Sequence, residues 1–330
     1  MEKLLSISIA AYNVERYLQH TLESLVSSEI LDDIEVLIVD DGSKDRTAEI
    51  GKKFEARYPN SFRVISKPNG GYGSTINAAV DAARGLYFKT LDGDDWFDTE
   101  QFTAFVKALR QMDADMVITP FTMVHEDTGE RELISCGRKH QSENILFDHL
   151  PKEIYPYIRM HGIAYRTVLL KEHQIRIGEH CFYTDIEYIA FPIVFVQTVN
   201  FLDYSVYQYR LGLEGQSVSL KGFRKHYKDH LRVTQRMLQF YQERRAAGLS
   251  KEKDQFLFEI LAGLVEMQIR IFFVLENSPQ TKQEFQSFDQ FLKEQNPELY
   301  ASVPGKKIAL LRKSNFKLLG LMKAYCKNKL

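Results

Sequence analysis

Three aspartates in four residues, Asp92, Asp94 and Asp95, form an acidic group that could do chemistry. They directly follow the run from Gly85 to Leu91, whose apolar residues predict a strand. Carboxylates this close repel one another, and a divalent cation held by oxygen ligands relieves that repulsion. Ligands of open α/β sheets bind just outside the carboxyl ends of strands. The segment therefore indicates Mg²⁺ or Mn²⁺ beside an anionic ligand such as a nucleotide diphosphate.

The alternative to a metal site is an acid-rich solvated turn, with Asp98 or Thr99 capping the next helix. The preceding strand and the neighbouring Trp96 favour the metal site. An EF-hand is excluded, because glycine stands at the second position and acids do not alternate over about twelve residues.

A second acidic pair, Asp40 and Asp41, follows another predicted strand and precedes Gly42 and Ser43. Two acids at the end of a strand can accept hydrogen bonds from a nucleobase or from ribose hydroxyls. Asp-Gly is equally a turn signal, and Ser43 could cap the helix that follows. The pair alone leaves both interpretations open.

A glycine-rich segment, Asn69-Gly70-Gly71-Tyr72-Gly73-Ser74, precedes a predicted helix. Glycine lets the backbone approach a phosphate closely, and a helix N-terminus favours anions. A flexible loop is the alternative. The absence of a Gly-Lys-Ser or Gly-Lys-Thr sequence here excludes a P-loop.

Two later segments could complete a site. Asp185 stands at the start of a predicted helix, where it could act as a general base, although Thr184 and Glu187 also match a capping box. Arg210 and Ser217 follow a predicted strand, and such groups can bind phosphate. An edge strand with a polar loop is the alternative for the second segment.

Over about the first 115 residues, the spacing of apolar residues alternates between that of a strand and that of a helix, and these elements would position the residues above. Strands are predicted at 4–10, 34–39, 62–66, 86–91 and from 116, with helices at 15–28, 45–57, 74–83 and 99–111. Such alternation predicts βαβ units, an α/β class and a mostly parallel sheet. Residues 120–220 mix short β-like runs with helices near 166–173 and from 185. Helices then follow at 225–247, 252–275 and 280–294.

The composition is that of a soluble globular protein, with 330 residues, 44% hydrophobic and 26% charged. The formal net charge of -1 gives no case for nucleic-acid binding. Three widely spaced cysteines without a CxxC pair argue against a disulfide framework or a zinc site and fit a reducing compartment. The apolar N-terminus predicts a buried strand rather than a signal peptide, and no run is long enough to span a bilayer.

In this order, the segments resemble the family 2 glycosyltransferases, which have the GT-A fold. The resemblance covers roughly residues 4–220, and the ordered set is more specific than any single motif. It rests on five segments: Ile7-Ser8-Ile9-Ala10-Ala11-Tyr12-Asn13, Val39-Asp40-Asp41-Gly42-Ser43, Asp92-Gly93-Asp94, Thr184-Asp185, and Tyr207-Gln208-Tyr209-Arg210 with Ser217-Val218-Ser219.

The resemblance implies roles for these residues. Asp92 and Asp94 would bind Mn²⁺ or Mg²⁺, with Asp95 nearby, and Asp185 would deprotonate the acceptor hydroxyl. The nucleotide sugar would be bound by Ala10, Tyr12, Asp40, Asp41, Asn69, Gly70, Ser74, Asp92, Gly93, Arg210 and Ser217.

The resemblance also implies an architecture. The fold would be a GT-A-type, Rossmann-like, mostly parallel sheet flanked by helices, with an α-helical C-terminal extension. Residues 1–220 would form the glycosyltransferase domain, with a nucleotide-sugar half at 1–120 and an acceptor half at 121–220. Residues 221–330 would form the helical region.

The implied activity is the inverting, metal-dependent transfer of a hexose from a nucleotide-diphosphate sugar, most simply a UDP-sugar. The acceptor would be a hydroxyl in the synthesis of a surface polysaccharide, glycolipid or glycoprotein glycan. Two departures from the usual pattern stand out. Ser74-Thr75-Ile76-Asn77 lacks the arginine common after the glycine loop, and Thr184 replaces an acid, so the base is Asp185 with Glu187 as the fallback.

Two other functions compete with sugar transfer. A sugar-phosphate nucleotidyltransferase normally has a glycine-rich loop after its first strand, and residues 10–16 contain no glycine. An inactive scaffold of the same fold would not need intact acids at Asp92, Asp94 and Asp185. Both observations favour the transferase.

The C-terminal segment 306–330 has eight lysines and arginines interleaved with apolar residues and no acid. This pattern is typical of a basic amphipathic helix that lies on an anionic membrane surface. The alternatives are packing on its own domain or on another subunit of a homo-oligomer. We expect a cytoplasmic location, with peripheral contact to the inner face of the plasma membrane.

Overall fold

The structure, a computed structural model, describes residues 3–138, 143–212, 219–303 and 305–327. The contacts divide the chain into two units. The first comprises Met1–Glu214 with Ser250–Lys253, and the second comprises Gly215–Leu249 with Asp254–Leu330. No helix among the described residues is both long and apolar enough to cross a membrane.

The first unit contains both sheets. Its strands are β1 (Leu5–Ala11), β2 (Ile34–Asp40), β3 (Phe62–Ser66), β4 (Tyr87–Asp92), β5 (Trp96–Phe97), β6 (Met116–Ile118), β7 (Phe121–His125), β8 (Arg131–Ile134), β9 (Ile145–Leu146), β10 (Ile163–Arg166), β11 (Thr198–Phe201) and β12 (Tyr207–Leu211). Its helices are α1 (Leu18–Glu23), α2 (Thr47–Arg57), α3 (Tyr72–Ala82), α4 (Thr99–Leu109), α5 (Thr167–Glu172) and α6 (Asp185–Ile193). The predicted α/β class is confirmed.

Parallel pairing in the large sheet brings two of the acidic segments together. The order β3-β2-β1-β4 is parallel throughout, and β1 lies between β2 and β4. In this register Ala11 pairs with Asp40, and Ala10 pairs with Asp92. The strands are apolar runs because helices cover both faces of a parallel sheet. Asp40 and Asp92 therefore end at one edge of the sheet, on either side of β1.

The remainder of the large sheet is mixed, but four of the seven strand pairings of the sheet are parallel, so the expected mostly parallel sheet is confirmed. β10 is antiparallel to both β4 and β6, and β9 is antiparallel to β11. A 3₁₀ helix, Met160–Gly162, leads directly into β10. By these pairings β9 and β10 run in the same direction, and residues 147–162, which include this 3₁₀ helix, connect them.

The second sheet has the order β5-β12-β7-β8. The sequence predicted β-like runs here but not their pairing. β12 pairs with β5, with Tyr207 opposite Phe97 and Gln208 opposite Trp96. Because β5 begins directly after the acids, this pairing brings Arg210 back to them.

The first helix is shorter than predicted. Sequence periodicity predicted a helix over 15–28, and α1 spans only Leu18–Glu23. The backbone N–H groups of Val14 and Glu15 donate to the Thr47 hydroxyl and the Asp45 carboxylate, at 2.9 and 3.1 Å. These bonds tie residues 14 and 15, which follow β1, to the segment at the start of α2. Those two residues therefore do not belong to α1.

The second unit is helical in its described residues. Its helices are α7 (Leu220–Lys225), α8 (Tyr227–Ala247), α9 (Lys251–Val274, whose first residues belong to the first unit), α10 (Pro279–Gln295), α11 (Pro297–Ser302), α12 (Lys306–Lys313) and α13 (Leu319–Lys327). The three long helices match the predicted ranges closely. Phe272 stacks on Phe285 at 4.6 Å between ring centroids, and Phe316 meets Phe285 edge-on at 5.1 Å.

The C-terminal segment forms two helices rather than the single amphipathic helix expected. Asn315 and Phe316 adopt positive φ angles of 49° and 61°, which end α12 and turn the chain before α13. Ile308, Leu311, Phe316 and Leu319 are buried in the second unit. Burial of these apolar residues offsets the strain of the turn. The face of the segment that carries them therefore packs on its own domain.

Lys89, in the middle of β4, is fully buried, and its ammonium donates to the carbonyls of His161 and Ile163 at 2.7 and 3.3 Å. Desolvation lowers the pKa of Lys89 to about 7. Between that pH and the unfolded pKa of about 10.4, the unfolded chain binds more protons, so stability rises with pH.

We expect the free energy of unfolding of the wild type, relative to Lys89→Met, to increase by roughly 2 kcal/mol between about pH 7 and 9. Urea denaturation at both pH values measures this. A constant difference would show that the amine has an ordinary pKa.

Candidate active site

A tight turn after β4 gathers the three acids. The Asp95 N–H donates to the Asp92 carbonyl at 3.1 Å, and the Gly93 N–H donates to the Ala10 carbonyl at 3.0 Å. A Cβ at Gly93 would lie 2.9 Å from that carbonyl oxygen, so β1 requires glycine there. One oxygen from each of Asp92, Asp94 and Asp95 lies within 4.8 Å of the others. The predicted acidic cluster is therefore assembled, with Ala10 and Gly93 at its base.

The residues present fit a divalent cation. The Oδ1 atom of Asp92 is buried and makes no hydrogen bond within the described part of the chain. Both carboxylate oxygens of Asp95 already accept hydrogen bonds, one from the Tyr207 hydroxyl and one from the Arg210 N–H, both at 2.7 Å. Asp92 thus offers a free oxygen atom beside the Asp94 carboxylate, while Asp95 supports the turn. An all-oxygen donor set suits Mg²⁺ or Mn²⁺.

Electrostatics at the cluster also favour a cation. Desolvation, followed by the charge of Asp94, raises the pKa of Asp92 to about 7, and the nearby Tyr72 hydroxyl offsets part of that increase. Burial likewise raises the pKa of Asp94 and of Asp95. Each raised pKa means that the ionised form is disfavoured without a counter-charge. The charge of Asp185 also contributes to the raised pKa of Asp92, so the two carboxylates lie within electrostatic range of each other.

Arg210 lies against the acidic turn. Its Nε donates to the Asp94 carbonyl at 2.9 Å, and its Nη1 donates to Glu126 at 2.6 Å. The guanidinium also lies over the rings of Trp96 and Tyr17, at 4.7 and 5.1 Å. The predicted Ser217 lies outside the described residues.

Asp41 is a hydrogen-bonding centre of the glycine-rich loop. Its Oδ1 accepts from Lys67 Nζ at 2.7 Å and from the Gly70 N–H at 2.9 Å, and its Oδ2 accepts from the Gly71 N–H at 2.8 Å. Ser74 adds a contact to the same carboxylate at 3.3 Å. Sequence analysis missed Lys67, whose only signal was a cation directly after the third strand. Asp41 therefore orders the loop.

The remaining predicted nucleotide-sugar residues lie around this loop. Asp40 accepts from the Ser43 N–H at 3.1 Å, and Asn69 donates to the Asp41 carbonyl at 3.1 Å. Tyr12 is half exposed at the end of β1. All three are thus at the carboxyl edge of the parallel strands, where a nucleoside would have to bind.

The glycine-rich loop supports the segment that carries Asp185. The His180 N–H donates to the Gly70 carbonyl at 2.5 Å, and a Cβ at Gly73 would lie 2.0 Å from the Gly178 carbonyl oxygen. Asn77 exchanges two hydrogen bonds with the backbone of Ile177, both at 2.9 Å. This contact explains the asparagine in Ser74-Thr75-Ile76-Asn77, which sequence analysis noted only as a departure from the usual pattern.

Asp185 is the first residue of α6 and is partly exposed. Burial raises its pKa, which makes the carboxylate a stronger base. Glu187, the fallback base, is fully buried, and its Oε2 accepts from the Gly178 N–H at 2.7 Å. The capping box is wrong, because the Thr184 side chain makes no cap hydrogen bond. Glu187 therefore anchors the segment, and Asp185 is the more exposed of the two carboxylates.

Two tyrosines also belong to the site, and sequence analysis did not select them. After burial, the charges of Asp92 and Asp185 raise the pKa of Tyr72. The charges of Asp95, Asp92, Asp185 and Asp94 do the same for Tyr209. Both hydroxyls therefore lie within electrostatic range of these carboxylates.

Tyr207→Phe removes the hydroxyl that donates to Asp95 and accepts the Asp92 N–H at 3.2 Å. We expect Mn²⁺ affinity, measured by isothermal titration calorimetry, to fall roughly tenfold or more, because partners of ligand residues orient them. Tyr165→Phe is the matched control, since that buried hydroxyl donates to the Ile189 carbonyl. Equal affinities in both variants would contradict a supporting role for Tyr207.

A model of the family described as Glycosyl transferase family 2 matches residues 6–173. The chain belongs to glycosyl transferase family 2. The match contains every residue of the acidic cluster and the glycine-rich loop. Membership places the chain among the glycosyltransferases and not among the nucleotidyltransferases.

Individual relatives agree with this assignment. The protein EpsH of Bacillus subtilis (strain 168) is 28% identical over 265 residues, covering 76% of this chain and 73% of EpsH. The minor teichoic acid biosynthesis protein GgaB of the same organism is 30% identical over 181 residues, covering 53% of this chain but 19% of GgaB.

Solved structures show the same fold. The structure of S. aureus TarS 1-349 in complex with UDP-GlcNAc superposes with a TM-score of 0.65 and 20% identity, covering 97% of this chain and 87% of that chain. The mannosyltransferase PcManGT from Pyrobaculum calidifontis, in complex with GDP-Man and Mn²⁺, gives a TM-score of 0.53 and 14% identity, covering 98% and 85%. The GT-A fold predicted for this family 2 member is confirmed.

Proposed function

We propose that this protein transfers a sugar from a UDP-sugar to the hydroxyl of a glycan, lipid-linked or protein-linked acceptor in cell-surface glycan synthesis, with inversion at the anomeric carbon. One observation carries the proposal: the acidic cluster has three carboxylates within 4.8 Å of one another, and Asp185 at the start of α6 lies within electrostatic range of Asp92. The complex of TarS with UDP-GlcNAc and the teichoic acid role in the name of GgaB support the donor and acceptor classes.

Asp185 is the general base of the proposed reaction. Its carboxylate takes the proton of the acceptor hydroxyl while that oxygen forms a bond to the anomeric carbon. The bond from the anomeric carbon to the diphosphate oxygen breaks, and its electron pair leaves with the nucleoside diphosphate. Attack on the face opposite the leaving group inverts the configuration. A burial-raised pKa suits this base, because its proton affinity is closer to that required at neutral pH.

Asp92 and Asp94 are the residues that would hold Mn²⁺ or Mg²⁺, and Asp95 would support them through Tyr207 and Arg210. A cation bound there supplies a Lewis acid that neutralises charge developing on the diphosphate. Mn²⁺ in the PcManGT complex supports this choice. The cationic Arg210, stacked between Trp96 and Tyr17, would add a second positive charge on the same side.

Each half of the predicted glycosyltransferase domain, residues 1–220, has a proposed task. Residues 1–120 would bind the nucleotide sugar through the ends of the parallel strands and the loop held by Asp41, and residues 121–220 would bind the acceptor. The diphosphate of the donor is charged and does not pass through a bilayer. A donor made inside the cell therefore favours a cytoplasmic site of action.

A donor panel tests the proposal. Purified full-length protein with Mn²⁺ is incubated with UDP-GlcNAc, UDP-glucose, UDP-galactose and GDP-mannose, and the released nucleoside diphosphate is measured together with the dissociation constant of each donor. We expect one UDP-sugar to bind most tightly and to be hydrolysed slowly without an acceptor. Failure of every donor to bind or to turn over would leave the inactive scaffold as the better description.

A further inference from the structure

The two C-terminal helices of the second unit, α12 and α13, expose an apolar surface to solvent. Leu310 and Leu321 are 49% and 73% exposed. Together with Lys307, Leu318 and Met322 they line a groove of about 340 Å³, which we call the tail groove. Contiguous exposed apolar residues with a polar rim usually mark an interaction surface.

The tail groove is additional to the face that folding uses. Ile308, Leu311, Phe316 and Leu319 already bury the inner face of α12 and α13. Packing on the same domain, which the sequence left open, accounts for those four residues. It does not account for Leu310 and Leu321, which remain in water.

The two helices that form the tail groove carry positive charge and no negative charge. Residues 299–330 contain eight lysines and arginines and no aspartate or glutamate. Arg312 is paired with Asp289 at 2.8 Å, and Lys323 is buried against the carbonyls of Leu275 and Glu276. Lys307, Lys313 and Lys317 are exposed, and Lys317 directly precedes the groove residue Leu318. The two helices that form the groove therefore contribute exposed positive charge and no negative charge.

We propose that the tail groove docks on an anionic lipid bilayer, with Leu310 and Leu321 among the acyl chains and the exposed lysines at the headgroups. Charge decides between a bilayer and a second copy of the chain. Two copies meeting through this face would bring lysine against lysine, which is unfavourable, whereas an anionic bilayer complements every cation on the rim. The docking is independent of the sugar-transfer proposal.

Vesicle binding of the full-length protein tests the docking. Each lysine near an anionic surface strengthens binding by roughly fivefold. We expect partitioning onto phosphatidylcholine vesicles with about one third phosphatidylglycerol to exceed that onto pure phosphatidylcholine by at least about tenfold, and to weaken at high salt. Equal partitioning onto both vesicles, or none, would overturn the proposal.

Two variants separate the apolar and the charged contributions. Leu310→Asn with Leu321→Asn should lower partitioning onto anionic vesicles at least about tenfold, because two buried leucines are lost. Leu133→Asn with Leu146→Asn is the matched control, since those leucines are 61% and 49% exposed in the first unit. Lys313→Glu with Lys317→Glu should have an effect at least as large, while Lys52→Glu with Lys53→Glu on α2 should have little.

Two results would contradict the assignment. If the control pairs lost as much partitioning onto anionic vesicles as the groove pairs, the tail groove would not be the membrane-binding surface. A dimer in analytical ultracentrifugation that dissociates on Leu310→Asn with Leu321→Asn, without vesicle binding by the wild type, would assign the face to a second copy. UDP-sugar binding by the same variants reports that the first unit is folded, so failure of the docking is distinguishable from failure of the transferase.

Discussion

Replacing Asp94 with asparagine should lower kcat/KM for sugar transfer by about 10²–10⁴-fold, because a cation site worth several kcal/mol loses one of its carboxylates. Asparagine keeps the size of the side chain and removes its charge. Asp92 Oδ1 has no hydrogen-bond partner among the described residues, so its ionised form depends on the same cation. The measurements are initial rates at saturating Mn²⁺ and direct titration of Mn²⁺ into the protein without donor.

Asp98→Asn is the matched control for this variant. Asp98 lies four residues further on and caps α4 by accepting the Gln101 N–H at 3.1 Å. Asparagine caps a helix about as well as aspartate, so we expect stability and Mn²⁺ affinity to stay near those of the wild type. If Asp94→Asn bound Mn²⁺ as tightly as the control, the acidic cluster would not be the metal site.

Replacing Asp185 with asparagine should lower kcat by about 10²–10⁴-fold and leave the dissociation constant of the donor unchanged, because an amide cannot take the acceptor proton. Burial raises the pKa of Asp185 above its usual value of about 4, so the wild-type rate should fall as the pH drops through the raised pKa. The asparagine variant should lack this acidic limb. Single-turnover rates across the pH range measure both effects.

Glu187→Gln is the informative comparison for the base. Glutamine keeps an oxygen for the Gly178 N–H, so the loop before α6 should stay in place. We expect kcat within a few-fold of the wild type, since Glu187 is fully buried and anchors backbone. A larger loss of kcat in Glu187→Gln than in Asp185→Asn would show that Glu187, and not Asp185, is the general base.

Local sequence predicted the parallel half of the large sheet well. Hydrophobic runs placed β1 to β4, and the polar segments after them placed Asp40 and Asp92, because strand ends are local features and parallel strands share an edge. The long helices α8, α9 and α10 were predicted for a similar reason, since their apolar periodicity extends over many turns.

The roles of individual side chains were harder to predict, because hydrogen bonds join residues far apart in the chain. The motif containing Asp41 indicated contact with a nucleoside, yet its carboxylate binds Lys67 and the backbone of Gly70 and Gly71. The capping box at Thr184 matched by residue type alone, and Glu187 instead binds backbone nine residues earlier. Spacing along the sequence does not report such contacts.

The sequence by itself determined the family, the strand ends that carry Asp92, Asp94 and Asp40, and a cationic C-terminus without acids. These depend on residue types and periodicity within short windows. Only the tertiary structure decided that Asp95 supports the acids through Tyr207 and Arg210, that Asp185 lies within electrostatic range of Asp92, and that the C-terminus has an inner and an outer apolar face. Each of these depends on packing between distant segments, whose energy belongs to the assembled fold.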